Sequence, residues 1–197
     1  METSKGNTPS FGLQAKRVGI GALVMLGLMG AYLGMLELSG NFRAVIPGEL
    51  YRSGQPTAAA IARYRAAHGI KTIINLRGEN AGRDWYDTEL AESEKLGITH
   101  LNFRMSAKHE LSQAKAAELI DMMAAAEKPL LIHCSSGADR TGLASALYVA
   151  AVAKLGEIRA EDQLTPVYGH IPLPFLNIYA MDDTFEKLEP WLGFPDS

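Results

Sequence analysis

The sequence predicts an α/β domain, a sheet flanked by helices, behind one membrane-crossing helix at its N-terminus. Three observations predict it. Nineteen consecutive residues, Val18 to Leu36, carry no charged side chain. Beyond them, short apolar runs alternate with amphipathic stretches, the rhythm of strand and helix in turn. One apolar run, Leu130 to His133, then leads through a short polar loop into an alanine-rich segment that reads as a buried helix. Composition agrees: 197 residues, 47% hydrophobic and 21% charged, are globular values that exclude a disordered chain. One cysteine excludes a disulfide framework and a multi-cysteine zinc site. A net charge of −3 with no run of arginine or lysine excludes a general nucleic-acid binder.

Taken in order, residues 1–17 form a polar tail and residues 18–38 the span. Nineteen residues at a helical rise cover about 28 Å, the thickness of a bilayer's hydrocarbon core. A cleaved signal peptide is the competing reading, but no small-x-small triplet follows the run, so an uncleaved anchor is expected. Lys5, Lys16 and Arg17 precede the span, which places the tail in the cytoplasm and the remainder outside it, in the periplasm of a double-membraned cell. Gly30 and Gly34 fit a helix-packing motif, yet glycine is common in membrane helices and no dimer is inferred.

Residues 44–197 then carry −5, because residues 1–43 hold four basic and two acidic side chains. Such a domain has no bulk attraction for an anionic surface, so any anionic substrate needs a local site. Strands are expected at Thr72–Leu76, Ile98–Phe103 and Leu130–His133. Helices are expected at Thr57–His68, after Pro56, and at Arg83–Leu96, closed by Gly97. Further helices fit a Ser112-capped segment to Ala126, Gly137–Lys154, Ala160–Tyr168 and Met181–Leu192, the last two parted by the proline-bearing His170–Phe175. Trp85, Trp191 and Tyr51 read as packing residues. His68, His100 and His170 are too scattered for a metal-ligand cluster, so neither a metal nor another cofactor is expected.

The chemistry concentrates in His133-Cys134-Ser135-Ser136-Gly137-Ala138-Asp139-Arg140-Thr141. The strand delivers Cys134 to a loop whose six N–H groups, Ser135 to Arg140, can curl around one oxyanion, and the next helix adds its positive N-terminus. Gly137 permits a backbone angle that a side chain obstructs. Thiols at helix N-termini ionise at pKa values of roughly 3.5–7.5, so the same field favours a thiolate. Arg140 can hold two phosphate oxygens in a fork that lysine cannot copy. Thiolate, amide cradle and guanidinium together suit nucleophilic attack on a phosphate ester.

The stretch resembles the signature of the cysteine-dependent phosphatase superfamily, H-C-x5-R-[ST], at every fixed position. Glu49-Leu50-Tyr51-Arg52-Ser53-Gly54-Gln55-Pro56 and Lys71-Thr72-Ile73-Ile74-Asn75-Leu76-Arg77-Gly78-Glu79 are similar to two strands of its atypical dual-specificity branch, including bacterial membrane-anchored members, so the likeness covers residues 44 to about 155. The resemblance implies a phosphatase-type mixed central sheet flanked by helices and a phosphocysteine formed on Cys134. It further implies that Arg140 binds phosphoryl oxygens, that the Thr141 hydroxyl helps the thiolate leave, and that His133 orients the loop.

The sequence departs from the pattern at the general acid. An aspartate is usual some thirty residues before the cysteine, and Phe103–Leu111 has none. Asp139 inside the loop is the first candidate, resembling the acid position of myotubularin-like and Sac-type lipid phosphatases; a carboxylate bracing loop N–H groups is its structural reading. Glu110 or His109 from the 106–112 loop, and Asp84 or Asp87 from the segment before, are the others, with Lys108 as an anion contact. The expected function is a single-pass membrane phosphomonoesterase acting on phosphoprotein (tyrosine or dual-specificity) substrates. A phosphorylated lipid or envelope glycolipid is the alternative substrate, and a non-catalytic phospho-ligand module the alternative class. Nucleic acid is not an expected partner.

Overall fold

The computed structural model describes residues 11–171 and 179–195, with the backbone alone for residues 11–14. Residues 1–10 of the expected tail and most of the proline-bearing stretch after His170 lie outside them. The described chain divides into two units, residues 1–36 and 37–197.

The first unit is one helix, α1, Phe11–Leu38, whose last two residues fall in the second unit. It begins seven residues before the uncharged run, because Leu13, Gln14, Ala15 and Lys16 are all good helix formers. From Ala15 to Leu38 its mean hydropathy is 1.9, and this helix is long and apolar enough to cross a membrane. Val18, Leu23 and Met25 are each at least 70% exposed, the opposite of what a buried core helix would show.

The second unit is built on a five-stranded sheet ordered β1-β2-β5-β3-β4. These strands are β1 (Arg43–Ile46), β2 (Leu50–Ser53), β3 (Thr72–Asn75), β4 (Thr99–Asn102) and β5 (Leu130–His133). β1 and β2 form an antiparallel pair, and every other pairing is parallel, so the sheet is mixed. β2, β3 and β5 are buried at every residue; burial explains the apolar runs of β3 and β5, whereas β2, half polar, was indicated only by the resemblance of residues 49–56. β1, on the edge and partly exposed, lacks such a run and carried no strand signal.

Between the strands lie α2 (Ala58–His68), α3 (Asp84–Lys95) and α4 (Gln113–Ala125). Thr57 caps α2 through its side chain and Gly69 closes it in the left-handed region; Ser112 caps α4 by accepting from Lys115 N–H. After β5 comes α5 (Asp139–Leu147), which widens into one π-type turn at Tyr148–Val152 and stops short of Lys154. The single helix expected at Ala160–Tyr168 is instead a short α6 (Glu157–Glu161) and a separate 3₁₀ turn at Pro166–Tyr168. Two causes break it: Pro166 has no N–H to continue the ladder, and the Gln163 carbonyl turns away to accept from Arg52 Nη1 at 2.8 Å. α7 (Ala180–Leu192) completes the unit.

Two cores flank the sheet. Leu50, Ile74, Ile132, Leu119, Leu147 and Phe185 anchor the larger; Ile61, Ile73, Leu131 and Tyr51 anchor the smaller, where Phe42 stacks on Tyr64 at 4.0 Å between centroids. Tyr51 packs as expected. Trp191 does not: it is 43% exposed in the last turn of α7, which Gly193 closes in the left-handed region.

Candidate active site

His133 ends β5 and α5 begins at Asp139, so Cys134 to Ala138 form a five-residue loop at the carboxyl end of the central strand. Its curl is imposed from behind. Four successive carbonyls are tied outward to the scaffold: Ser135 O accepts from Gln55 N–H at 2.9 Å and Ser136 O from Asn41 Nδ2 at 3.1 Å. Gly137 O and Ala138 O accept from Arg52 Nη2 at 2.9 and 3.2 Å. With the carbonyls held outward, amides are turned to the concave side, and Gly137 N–H points at Cys134 Sγ, 3.3 Å away. Gly137 has φ +76°, and a Cβ there would lie 2.5 Å from Gly54 N. Only glycine fits, for reasons of both angle and space.

Arg52 is fully buried on β2. Besides the two loop carbonyls it bonds the carbonyl and side chain of Gln163 and lies 3.8 Å over the Tyr168 ring. Burial pushes its guanidinium down to about 10, against the opposing charges of Tyr168, Cys134 and Asp139, so it remains charged at neutral pH. Asn41, Arg52 and Gln55 escaped sequence reasoning. Arg52 and Gln55 stand in a run similar to the family's, but nothing in spacing shows that their groups turn to a loop some eighty residues on.

His133 is buried, and its Nε2 donates to Glu89 Oε1 at 2.7 Å. Glu89, from α3, also takes His100 Nε2 at 2.8 Å and Gln55 Nε2 at 2.5 Å. Burial raises the Glu89 carboxyl, but the His133 charge and the bonds from His100, His133 and Gln55 outweigh it and bring it to about 2. His100, noted in the sequence only as too far from the other histidines for a metal cluster, is thus part of this hub.

Asp139 opens α5, and its Oδ1 receives His170 Nδ1 at 2.8 Å; the other ring nitrogen meets Asp182 Oδ2 at 2.9 Å. His170 is buried, yet its pKa is pushed up to about 9: burial opposes the charge and the two carboxylates overcome it. Asp139 therefore pairs with a histidine from outside the loop, where a brace to backbone N–H groups was its structural reading. Arg140 and Thr141 follow in the first turn of α5. Arg140 Nε and Thr141 Oγ1 are buried without a hydrogen-bond partner among the described residues. Ser135 and Ser136 are exposed at the rim, and Cys134 is buried at 2% exposure.

The remaining candidates are not drawn into the loop. Glu110 is exposed and paired to Lys187 of α7 at 2.6 Å, while Lys108 and His109 are exposed. Asp84 and Asp87 lie exposed in the first turn of α3, where Asp87 Oδ1 accepts from Gly82 N–H at 3.2 Å, a helix-terminus arrangement.

A parallel strand thus leads through a loop with a buried cysteine and outward-tied carbonyls into a helix whose first turn carries Arg140. The family model described as the Swiss Army Knife protein, DSP-PTPase phosphatase domain matches residues 39–168, and the chain belongs to that family. Among solved structures it is similar to TpbA of P. aeruginosa: 22% identity over 76% of this chain and 85% of that one, TM-score 0.60. A cysteine-to-serine form of TpbA in complex with pTyr matches with 21% identity over 81% and 93% of the two chains, TM-score 0.58. The core catalytic domain of the PP-IP phosphatase SIW14 from S. cerevisiae, in complex with citrate, matches with 21% identity over 78% and 93%, TM-score 0.55. At these identities the structures support the fold. The family makes this chain a phosphatase of the dual-specificity superfamily.

Proposed function

We propose that the chain hydrolyses phosphomonoesters through a phosphocysteine on Cys134, with phosphoprotein as its substrate. The observation that carries this reading is the loop whose four carbonyls are tied outward around a buried cysteine. Cys134 Sγ attacks phosphorus while the loop amides and Arg140 hold the oxygens on which charge accumulates. The bond to the leaving oxygen breaks, and that oxygen takes a proton from the Asp139–His170 pair, with His170 as the store and Asp139 as the carrier. Water then attacks the phosphocysteine and returns a proton to the same pair. The Thr141 hydroxyl hydrogen-bonds the departing sulfur. His133, fixed by Glu89, and the loop residues Ser135, Ser136, Gly137 and Ala138 hold the cradle in shape.

Cys134→Ser should abolish turnover of a small aryl phosphate while phosphate binding persists; turnover surviving the substitution would overturn the mechanism. Binding without turnover by the unaltered chain would instead favour a phospho-ligand module. The pTyr complex of the similar TpbA supports the phosphoprotein substrate. The apolar α1 favours a second reading, a lipid or glycolipid phosphate met at a membrane surface, with α1 as single-pass anchor and the domain outside the cytoplasm. Comparing a phosphotyrosyl peptide with lipid phosphate in micelles separates the two.

A further inference from the structure

Arg77 stands in one of the two runs similar to the family's strands, yet the mechanism above gives it no task. It follows β3 in a turn that Asn75 builds: Asn75 Oδ1 accepts from Arg77 N–H at 2.9 Å, and Asn75 Nδ2 donates to Gly78 O at 3.0 Å. The guanidinium is held on two sides. It lies 3.4 Å over the Trp85 ring, and its Nη1 donates to Gln55 Oε1 at 2.7 Å. Gln55 is the residue whose N–H holds Ser135 O, so Arg77 is built onto the frame of the anion loop.

Its electrostatic surroundings are unusual for a partly buried arginine. Desolvation lowers its pKa, Arg140 lowers it further, and only Cys134 and Glu89 act the other way. Through Gln55, which holds both the Arg77 guanidinium and the Ser135 carbonyl, Arg77 stands beside the loop that carries Cys134 and leads into Arg140. Among the described residues no carboxylate forms an ion pair with either guanidinium, and Glu89 is engaged by His133, His100 and Gln55. Arg140 suffices for one phosphoryl group. A second fixed guanidinium with open donors, stacked so that its plane is set, matches a second oxyanion beside the first.

We infer that Arg77, oriented by Trp85 and Gln55, is a specificity-determining residue that binds a second phosphoryl group beside the scissile phosphate. This rests on the phosphocysteine step and parts from the phosphoprotein reading of the substrate, because it favours esters that carry two neighbouring phosphoryl groups. A singly phosphorylated tyrosyl peptide leaves Arg77 unused. The same chemistry is offered by a soluble bisphosphorylated alcohol and by a bisphosphorylated lipid head group.

The test uses the full chain in non-ionic detergent, with orthophosphate and pyrophosphate as competitive inhibitors of aryl phosphate turnover. Arg77→Gln should weaken pyrophosphate about tenfold more than orthophosphate, the loss of one charge-assisted contact. Arg77→Lys should fall between, since charge remains and the stacked fork is lost. Parallel weakening of the two anions, or none, would overturn the proposal, because a merely structural Arg77 affects both alike. In a substrate panel, a bisphosphorylated ester should exceed its monophosphorylated counterpart in kcat/KM, whether soluble or in a micelle, and the faster form identifies the source. A phosphotyrosyl peptide outrunning both would also overturn it. Cys134→Ser, read separately, tests the mechanism on which the inference rests.

Discussion

Glu89 and His170 show at the scale of single residues how burial and charge compete. The Glu89 carboxyl is lower in the folded chain than its ordinary 4.5, so it contributes stability above pH 4.5 that is lost as pH falls toward about 2. Glu89→Ala leaves two histidines and Gln55 facing an unfilled buried site, and should cost about 3 kcal/mol, read from denaturant unfolding at pH 7. His170 has the opposite sign. Its pKa is raised from 6.5 to about 9, so its contribution is complete below pH 6.5 and disappears as pH rises through 9. If His170 supplies the proton for the leaving group, kcat for an alkyl phosphate should fall along an alkaline limb near pH 9. Asp182→Asn should move that limb to lower pH, and a profile that stays in place would show that His170 is not the proton store. Asp139→Asn should slow alkyl phosphates far more than aryl phosphates, whose better leaving groups need the proton less.

The elements were legible in proportion to how local their causes are. α2 and α4 follow from caps written in the sequence, and Ser112→Ala should destabilise the domain by about 1 kcal/mol, visible as a lower Tm. Buried β3 and β5 follow from apolar runs, and buried β2, half polar, does not. β1 was not legible, because it is an edge strand without a buried face; the break between α6 and the Pro166 turn was signalled by its proline, while its other cause, a hydrogen bond from distant Arg52, was not legible. The anion loop is where these elements meet. Gly137→Ala should eliminate activity, since the added Cβ collides with the Gly54 backbone; wild-type turnover in that variant would mean that the loop can be displaced without cost.

For the whole molecule, the division at residues 36 and 37 and the two closed cores predict that residues 37–197 fold alone and turn over a soluble aryl phosphate. Removing α1 should abolish sedimentation with membranes while leaving that turnover within about twofold, as expected for a unit that holds its own cores. The sequence by itself determined the apolar helix, the alternation of strand and helix, and the run from His133 to Thr141, because each is encoded in neighbouring residues. Tertiary structure alone decided what surrounds that run. Arg52 and Asn41 hold its carbonyls, Glu89 fixes His133, His170 claims Asp139, and Gln55 ties Arg77 to its frame. Those partners come from the turn before β1, from β2 and just after it, from α3, from the stretch before α7 and from the turn after β3. No periodicity or motif links them, since a parallel sheet gathers the carboxyl ends of strands that are far apart in sequence.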